Sequence, residues 1–93
     1  MNKEEMVGAL SQRARLTRKD AETALDAVFE IITETLSSGG KVKIVGFGVF
    51  EVKNRAPKVG RNPGDNIPVP IPARKIPIFK PGKLLKEAVD FPK

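Results

Sequence analysis

The sequence contains no cysteine, histidine, tyrosine or tryptophan. Without cysteine, the chain can form neither a disulfide nor a thiolate metal site. Histidine is the side chain that most often serves as general acid or base near neutral pH, so an enzyme built from this chain would depend on Asp, Glu, Lys or Ser alone. No group of residues combines a nucleophile with a base. We therefore expect a protein that is not an enzyme and that uses no cofactor, no metal and no small-molecule substrate.

Long apolar runs are absent as well. No stretch approaches the ~20 apolar residues that cross a membrane, and the N-terminus, MNKEEMVGAL, contains no apolar run of signal length. These features predict a cytoplasmic protein without a membrane partner. We expect the 93 residues to form a single domain. A domain of this size has a thin core, and an arm projecting from it would leave the core thinner still, so oligomerisation is expected.

Acidic residues are scarce in the second half of the chain. Residues 1–40 contain five basic and seven acidic side chains, whereas residues 41–93 contain twelve basic and four acidic ones. No acidic residue occurs between Val52 and Gly64, a segment that carries four Lys or Arg side chains. A nearly neutral part joined to a cationic part is typical of proteins that bind polyanions.

The first 40 residues predict two helices. Asn2 followed by Glu5 fits a capping box, and helical spacing of apolar residues predicts a first helix over about 3–14. Thr17 is the expected N-cap of a second helix over about 18–37, which carries a wide apolar stripe and ends at two glycines. The short link between the helices predicts a helical hairpin.

The remaining residues predict an antiparallel sheet with a long arm. Residues 41–45 alternate as a half-buried strand, and the Pro-Gly pair at 63–64 fits a type II turn at the tip of a hairpin. Centring the hairpin on that turn places Phe50 opposite Phe79 and Arg55 opposite Arg74. The arm spans about residues 56–73.

Prolines occupy every second position of the return strand of the arm. Pro68, Pro70 and Pro72 would place their missing N–H donors on one edge of the strand, which can then face solvent. Pro77 has the opposite parity, which predicts a bulge or an unpaired position near Ile76. After a turn at Lys80-Pro81-Gly82, residues 83–89 predict a short helix, with Leu84, Leu85, Ala88 and Val89 facing inward and Lys83 and Lys86 facing outward.

Four motifs together resemble one known family. They are Asn2-Lys3, VGFGVFE at 45–51, GRNP at 60–63 and IPIFKPGK at 76–83. Their arrangement along essentially the whole chain is similar to that of the bacterial histone-like DNA-binding proteins called HU. The resemblance implies an α+β fold that forms an intertwined homodimer, or a heterodimer of close relatives, with residues 1–40 as the helical dimerisation part.

In function, the resemblance implies a nucleoid-associated protein that binds double-stranded DNA with little sequence specificity. Two β-ribbon arms would enter the minor groove and bend, wrap and compact the DNA, with a preference for deformed or nicked duplexes. This mechanism is known for HU and integration host factor as a class and is carried over from them.

The resemblance also implies roles for individual residues. Pro63 at the arm tip would wedge between base pairs, although a proline in such a motif is by itself more often a plain turn residue. The family commonly carries lysines on the return strand, where this chain has Ile67, Pro68 and Pro70. The expected dimer core contains Phe29, Phe47, Phe50 and Phe79. The residues implied to bind DNA are Lys3, Lys53, Arg55, Lys58, Arg61, Asn62, Pro63, Arg74, Lys75, Lys83 and Lys86.

Two other binding functions remain open from the sequence. A basic run such as residues 53–61 is often only a solvated surface, and the IPVPIP segment could be a polyproline ligand for another protein. A protein that used this segment would bind its partner with weak salt dependence. The second alternative is a sequence-selective architectural factor similar to integration host factor, which competition with random-sequence duplex would identify.

Overall fold

The computed structural model describes residues 1–61, 64 and 67–90, with residues 58 and 61 described by their backbone alone. The chain divides into two compact units, Met1–Thr35 and Leu36–Lys93. The combination of a helical pair, antiparallel strands and a short last helix confirms the α+β prediction. The elements in chain order are α1 (Lys3–Ala14), α2 (Arg18–Ser37), β1 (Val42–Ile44), β2 (Gly48–Arg55), β3 (Lys58–Arg61), β4 (Pro68–Ile71), β5 (Arg74–Pro81) and α3 (Lys83–Val89).

Both long helices begin at the side-chain caps that the sequence predicts. The Glu5 backbone N–H donates to Asn2 Oδ1 at 2.9 Å, and the Asp20 N–H donates to Thr17 Oγ1 at 3.1 Å. These bonds satisfy backbone donors that the first turn of a helix leaves without partners. At the far end of α2, Gly39 adopts a φ of +86°, a left-handed conformation that suits glycine. The predicted bounds of both helices are confirmed.

Each of the two helices contributes one buried side chain, and a hydrogen bond joins them. Val7 on α1 is 2% exposed and Ala21 on α2 is fully buried, and Arg18 Nη2 donates to the Glu4 carbonyl at 3.3 Å. Within the described residues, these two are the only buried hydrophobic side chains. The core of a single chain is therefore as thin as its length predicts.

The three-stranded sheet has the order β1-β2-β5 and is antiparallel throughout. Phe50 lies opposite Phe79 and Arg55 lies opposite Arg74, so the predicted register is confirmed. The Phe79 ring lies over Gly48, where an added Cβ would come within 2.6 Å of the ring and of the Lys80 carbonyl oxygen. Glycine at this position is therefore what allows the ring to cross the strand.

Beyond the sheet, β3 and β4 form the two-stranded ribbon of the arm in the same register. The only interruption between the two paired regions is Ala56-Pro57 on one strand opposite Pro72-Ala73 on the other. Proline cannot exchange both backbone hydrogen bonds with a residue opposite, so each paired proline occupies a non-hydrogen-bonded position and turns its nitrogen to the outer edge.

The expected bulge near Ile76 was wrong. Pro77 pairs with Val52 in unbroken register, and Pro81, at the same parity, pairs with Gly48. Pro68 and Pro70 have the other parity and also belong to regular pairs. All four proline nitrogens face outward, so the hydrogen-bonded pairs involve even-numbered residues in β5 but odd-numbered residues in β4. This alternation is reset at the interruption between the two paired regions. A change of phase there makes a bulge at residue 76 unnecessary.

The last helix has the predicted bounds, but its apolar side chains are less covered than expected. The Gly82 N–H donates to the Phe47 carbonyl at 2.7 Å, which ties the start of α3 to the turn between β1 and β2. Leu85 is half-buried, whereas Leu84 is 62% and Val89 80% exposed. The expectation that all four apolar residues of α3 face inward is therefore wrong for a single chain, since a helix of seven residues covers little surface.

Candidate nucleic-acid interface

Three of the predicted DNA-binding side chains share one face of the sheet. Side chains alternate between the faces of a strand, and directly paired residues share a face. Lys53 and Arg55 on β2 therefore lie on the same side as Arg74 on β5, and all three are exposed. Arg55 and Arg74 are direct partners, so two like charges meet at the end of the sheet where the arm begins.

The same face carries two lysines that the sequence reasoning missed. Lys43 on β1 and Lys80 on β5 both pair with Val49, whose side chain points to the same face of β2 as that of Lys53. The signal was present in the predicted register, because pairing Phe50 with Phe79 places Lys80 beside Val49. The five side chains Lys43, Lys53, Arg55, Arg74 and Lys80 are called the cationic face below.

One acidic residue, Glu51, lies on the cationic face. Its Oε1 is 2.7 Å from Lys80 Nζ, and its side chain is 21% exposed. The hydrogen bond from Lys80 lowers the pKa of Glu51 below its ordinary value of 4.5, with further contributions from the charges of Lys80, Lys41 and Lys53, while partial burial acts in the opposite direction. In the free protein, Glu51 therefore neutralises one lysine of the face and leaves the face with a net positive charge.

Lys75 lies on the opposite face of the sheet. It pairs with Asn54, and the same parity includes the Phe50–Phe79 pair. The two faces therefore differ in chemistry, since one is mostly cationic and the other contains an aromatic cluster with a cation only near its end. Of the four predicted DNA contacts on β2 and β5, the structure brings three together and separates Lys75 from them.

Lys3 belongs to the helical unit and forms an ion pair there. Its Nζ lies 2.7 Å from Asp26 Oδ1 on α2. This hydrogen bond raises the pKa of Lys3 above its ordinary value of 10.5, with the Coulombic attraction of Asp26 as the next cause. A phosphate that binds Lys3 must compete with this carboxylate.

The remaining predicted contacts lie on α3 and in the arm. Lys83 and Lys86 are exposed and one helical turn apart on α3. Lys58 and Arg61 are the first and last residues of β3. Asn62 and the predicted wedge Pro63 lie outside the described residues.

Three of the four predicted core phenylalanines form one cluster. The centroid of the Phe79 ring lies 4.7 Å from that of Phe50 and 5.5 Å from that of Phe47. These are favourable distances for tilted aromatic pairs. Phe47 nevertheless remains 43% exposed, and Phe29, in the helical unit, is 45% exposed.

Residues 1–61, 64 and 67–90 lack two features of other protein classes. They contain no group of three or more His, Cys, Asp or Glu side chains that could hold a metal ion. In the same part of the chain, no helix has the length and apolar character needed to cross a membrane.

Comparison with known proteins places this arrangement in a family. The model of a family described as "Bacterial DNA-binding protein" matches residues 1–90. DNA-binding protein HU-1 of Halalkalibacterium halodurans is 53% identical over 90 residues, which cover 97% of this chain and all of the relative. DNA-binding protein HU of Geobacillus stearothermophilus is also 53% identical, over 96% of this chain and 99% of that protein.

Solved structures agree with these matches. The cocrystal structure of Anabaena HU with DNA matches with a TM-score of 0.90 and 47% identity, over 99% of this chain and 100% of that one. HU from Thermotoga maritima matches with a TM-score of 0.71 and 39% identity, over 97% and 100% of the two chains. The full-length match in sequence and the same fold lead to one conclusion: the chain belongs to the HU family of bacterial DNA-binding proteins.

Proposed function

We propose that this protein acts as a dimer that binds double-stranded DNA through the minor groove with little sequence specificity, and that it bends, wraps and compacts the DNA. The arms lie in the groove, and the cationic face, Lys83, Lys86 and Lys3 hold the flanking phosphates. The protein is a non-enzymatic component of the nucleoid in the cytoplasm. It prefers nicked or otherwise deformed duplexes.

The observation that carries this proposal is the pairing of Arg55 with Arg74. Like charges directly opposite each other destabilise a sheet unless an anion lies between them. Here the pair stands at the foot of the arm and continues a face that already holds Lys43, Lys53 and Lys80. A phosphate of a DNA backbone is an anion that fits this position. The cocrystal structure of Anabaena HU with DNA, which has the same fold, supports DNA as the partner.

Weak sequence specificity follows from the type of contact. Lysine and arginine on phosphates release condensed counterions, so affinity falls steeply with salt and depends little on base sequence. Apart from Lys3 on α1, the cations of the proposed interface lie on strands and on the seven-residue α3, and the sequence lacks a helical series of Asn or Gln side chains that could read major-groove edges.

We assign DNA bending to Pro63, which the sequence predicts at the tip of the arm. An apolar wedge partly unstacks one base step, at a cost of a few kcal/mol, and leaves a kink of ~20–90°. A nicked or prebent duplex has already lost part of that stacking, so it binds better. Pro63→Ala should reduce the bend angle in an energy-transfer assay more than it reduces affinity. Pro57→Ala, at the other end of the arm, is the matched control, and an unchanged bend in Pro63→Ala would refute the wedge.

The dimer is supported by the apolar surface that a single chain leaves exposed. Exposed fractions are 48% for Val28, 45% for Phe29, 43% for Phe47 and 62% for Leu84. Such side chains are normally covered by a partner of similar chemistry, and a second copy of this chain, or a close relative, supplies one. Sedimentation equilibrium should give the mass of a dimer at micromolar concentration, whereas a stable folded monomer would contradict this part of the proposal.

The central experiment compares linear and nicked duplexes of the same random sequence in a gel shift at several salt concentrations. We expect binding to both, tighter binding to the nicked duplex, and a steep loss of affinity with salt. A shift of any duplex that survives an excess of random-sequence competitor would favour the sequence-selective alternative, and failure to shift either duplex would favour the protein-interaction alternative. No binding in dilute buffer would overturn the proposed function.

A further inference from the structure

The two strands of the arm have opposite chemistry. The outgoing strand, residues 56–61, contains Lys58 and Arg61, whereas the return strand, residues 67–73, reads IPVPIPA and contains no side chain that can form a hydrogen bond. The two strands are in register, so each level of the ribbon joins one residue from each. The arm therefore has a cationic strand and a hydrocarbon strand.

The hydrocarbon strand is open to contact. Ile67 is 57% and Val69 45% exposed, and Val59, opposite Pro70, is 68% exposed. On the other face of the ribbon from Val69, the pair Val59 and Pro70, with Pro57, Ile71 and Pro72, lines a shallow, almost wholly apolar concavity of about 420 Å³. The Ile71 side chain also covers Gly60, where an added Cβ would lie 2.9 Å from its Cδ1.

The backbone of the return strand adds no donors to its faces. Val69 and Ile71 must direct their N–H groups to β3, because their proline neighbours have none to give. The carbonyl groups of Pro68 and Pro70 point outward, away from β3, and so do not face a ligand on either side of the ribbon. A ligand that lies against either face of this strand therefore meets hydrocarbon alone.

A nucleic-acid backbone fits both strands if its sugars present carbon atoms, and no 2′-hydroxyl group, to the arm. Phosphates suit the cationic strand, and the carbons of 2′-deoxyribose suit the hydrocarbon strand. In RNA, 2′-hydroxyl groups line the minor groove. A hydroxyl pressed against hydrocarbon loses its water partners and finds no replacement, which lowers affinity by about tenfold for each such group.

We propose that the hydrocarbon return strand makes this protein selective for 2′-deoxyribose, and hence for DNA over RNA. The selection is made where Ile67, Val69 and Ile71 face the sugars of the minor groove. It rests on the proposed function, since it requires the arm to lie in that groove. Selectivity of this kind needs no contact with a base.

The first test uses three nicked duplexes of one sequence with the full-length protein. One is DNA, one is RNA, and one is RNA in which fluorine replaces every 2′-hydroxyl, which keeps the A-form helix but removes the hydroxyl. DNA should bind roughly 10- to 100-fold more tightly than RNA. The fluorinated duplex should recover at least several-fold over RNA. Equal binding of RNA and its fluorinated form would assign any preference to helix shape and overturn the proposal.

The second test changes the strand without changing its charge. The double variant Ile67→Thr, Val69→Thr retains β-branched side chains but supplies hydroxyl groups that can pair with the sugar. The matched control is Ile67→Val, Val69→Ile, which retains hydrocarbon. The ratio of DNA affinity to RNA affinity should fall about three- to tenfold in the threonine variant and stay unchanged in the control. An unchanged ratio in both variants, with circular dichroism confirming the fold, would overturn the proposal.

The outcomes separate this proposal from the function on which it rests. DNA binding accompanied by equally tight RNA binding would overturn the selectivity and leave the proposed function intact. Absence of DNA binding would overturn both.

Discussion

The base of the hairpin, β2 with β5, and the arm beyond it share one register but differ in what holds them together. In the base, Phe79 contacts two other rings and closes over Gly48. In the arm, the exposed Val59 and Val69 have little cover, and prolines and backbone pairing maintain the ribbon. The difference indicates that substitutions in the base should act mainly on folding and those in the arm mainly on binding.

The largest effect should come from removing the ring at the centre of the base. Phe79→Ala deletes both aromatic contacts and the apolar area that the partly covered ring buries, which should lower the free energy of unfolding by about 2–3 kcal/mol. In the arm, Val59→Ala should change it by less than about 0.5 kcal/mol, because that side chain is exposed. Urea denaturation at fixed protein concentration measures both. Equal losses would contradict the division between base and arm.

A crowding substitution in the base should have the next largest effect. In Gly48→Ala the new methyl group meets the Phe79 ring and the Lys80 carbonyl, so we expect a loss of about 1–3 kcal/mol. Gly8→Ala is the matched control, because its Cβ would meet only the end of the Arg18 side chain, 3.3 Å away, in the middle of α1. That helix should gain up to about 1 kcal/mol. Thermal unfolding of both variants gives the comparison.

At the junction of base and arm, the expected effect moves from folding to binding. Arg55→Ala should leave stability nearly unchanged, because it removes a like-charge pair, but it should reduce the slope of log affinity against log salt by about 0.9. Arg13→Ala removes the same charge from the last turn of α1 and should leave the slope unchanged. Fluorescence anisotropy with a labelled duplex measures both slopes. A slope that responds equally to both variants would indicate a general charge effect.

The smallest effect concerns the ion pair within the cationic face. Because the pKa of Glu51 is lowered in the folded protein, its stabilisation is present above the ordinary pKa of 4.5 and is lost as the pH falls through the lowered value. The stability difference between the wild type and Glu51→Gln should therefore be largest at neutral pH and shrink on acidification. A difference that is constant with pH would exclude the pair as its source. The effect is small because exposed ion pairs are weak.

Local rules predicted the elements of this fold well. The caps at Asn2 and Thr17 and the glycine end of α2 depend on residues close in sequence. The register of the hairpin depends only on the position of its turn. Long-range consequences were harder to predict. The phase of a ladder depends on where pairing is interrupted, and the prolines alone do not specify that position.

The predicted site was incomplete for a related reason. Lys43 and Lys80 can be placed on the cationic face only when the pairing of all three strands is known. The same pairing places Lys75 on the opposite face. The cover of Leu84 and Val89 on α3 cannot be read from amphipathic spacing in one chain, since spacing says which side is apolar but not what lies against it.

The outward-facing prolines have a further consequence for how the protein behaves at high concentration. An exposed ribbon rich in valine and isoleucine is the kind of segment that recruits further strands into fibres. Here Pro68 and Pro70 remove the outward donors of β4, and Pro77 and Pro81 remove alternate outward donors of β5, so another chain finds few partners for a new strand along this border. The apolar return strand that suits the minor groove of DNA therefore has an outer edge that resists the addition of further strands.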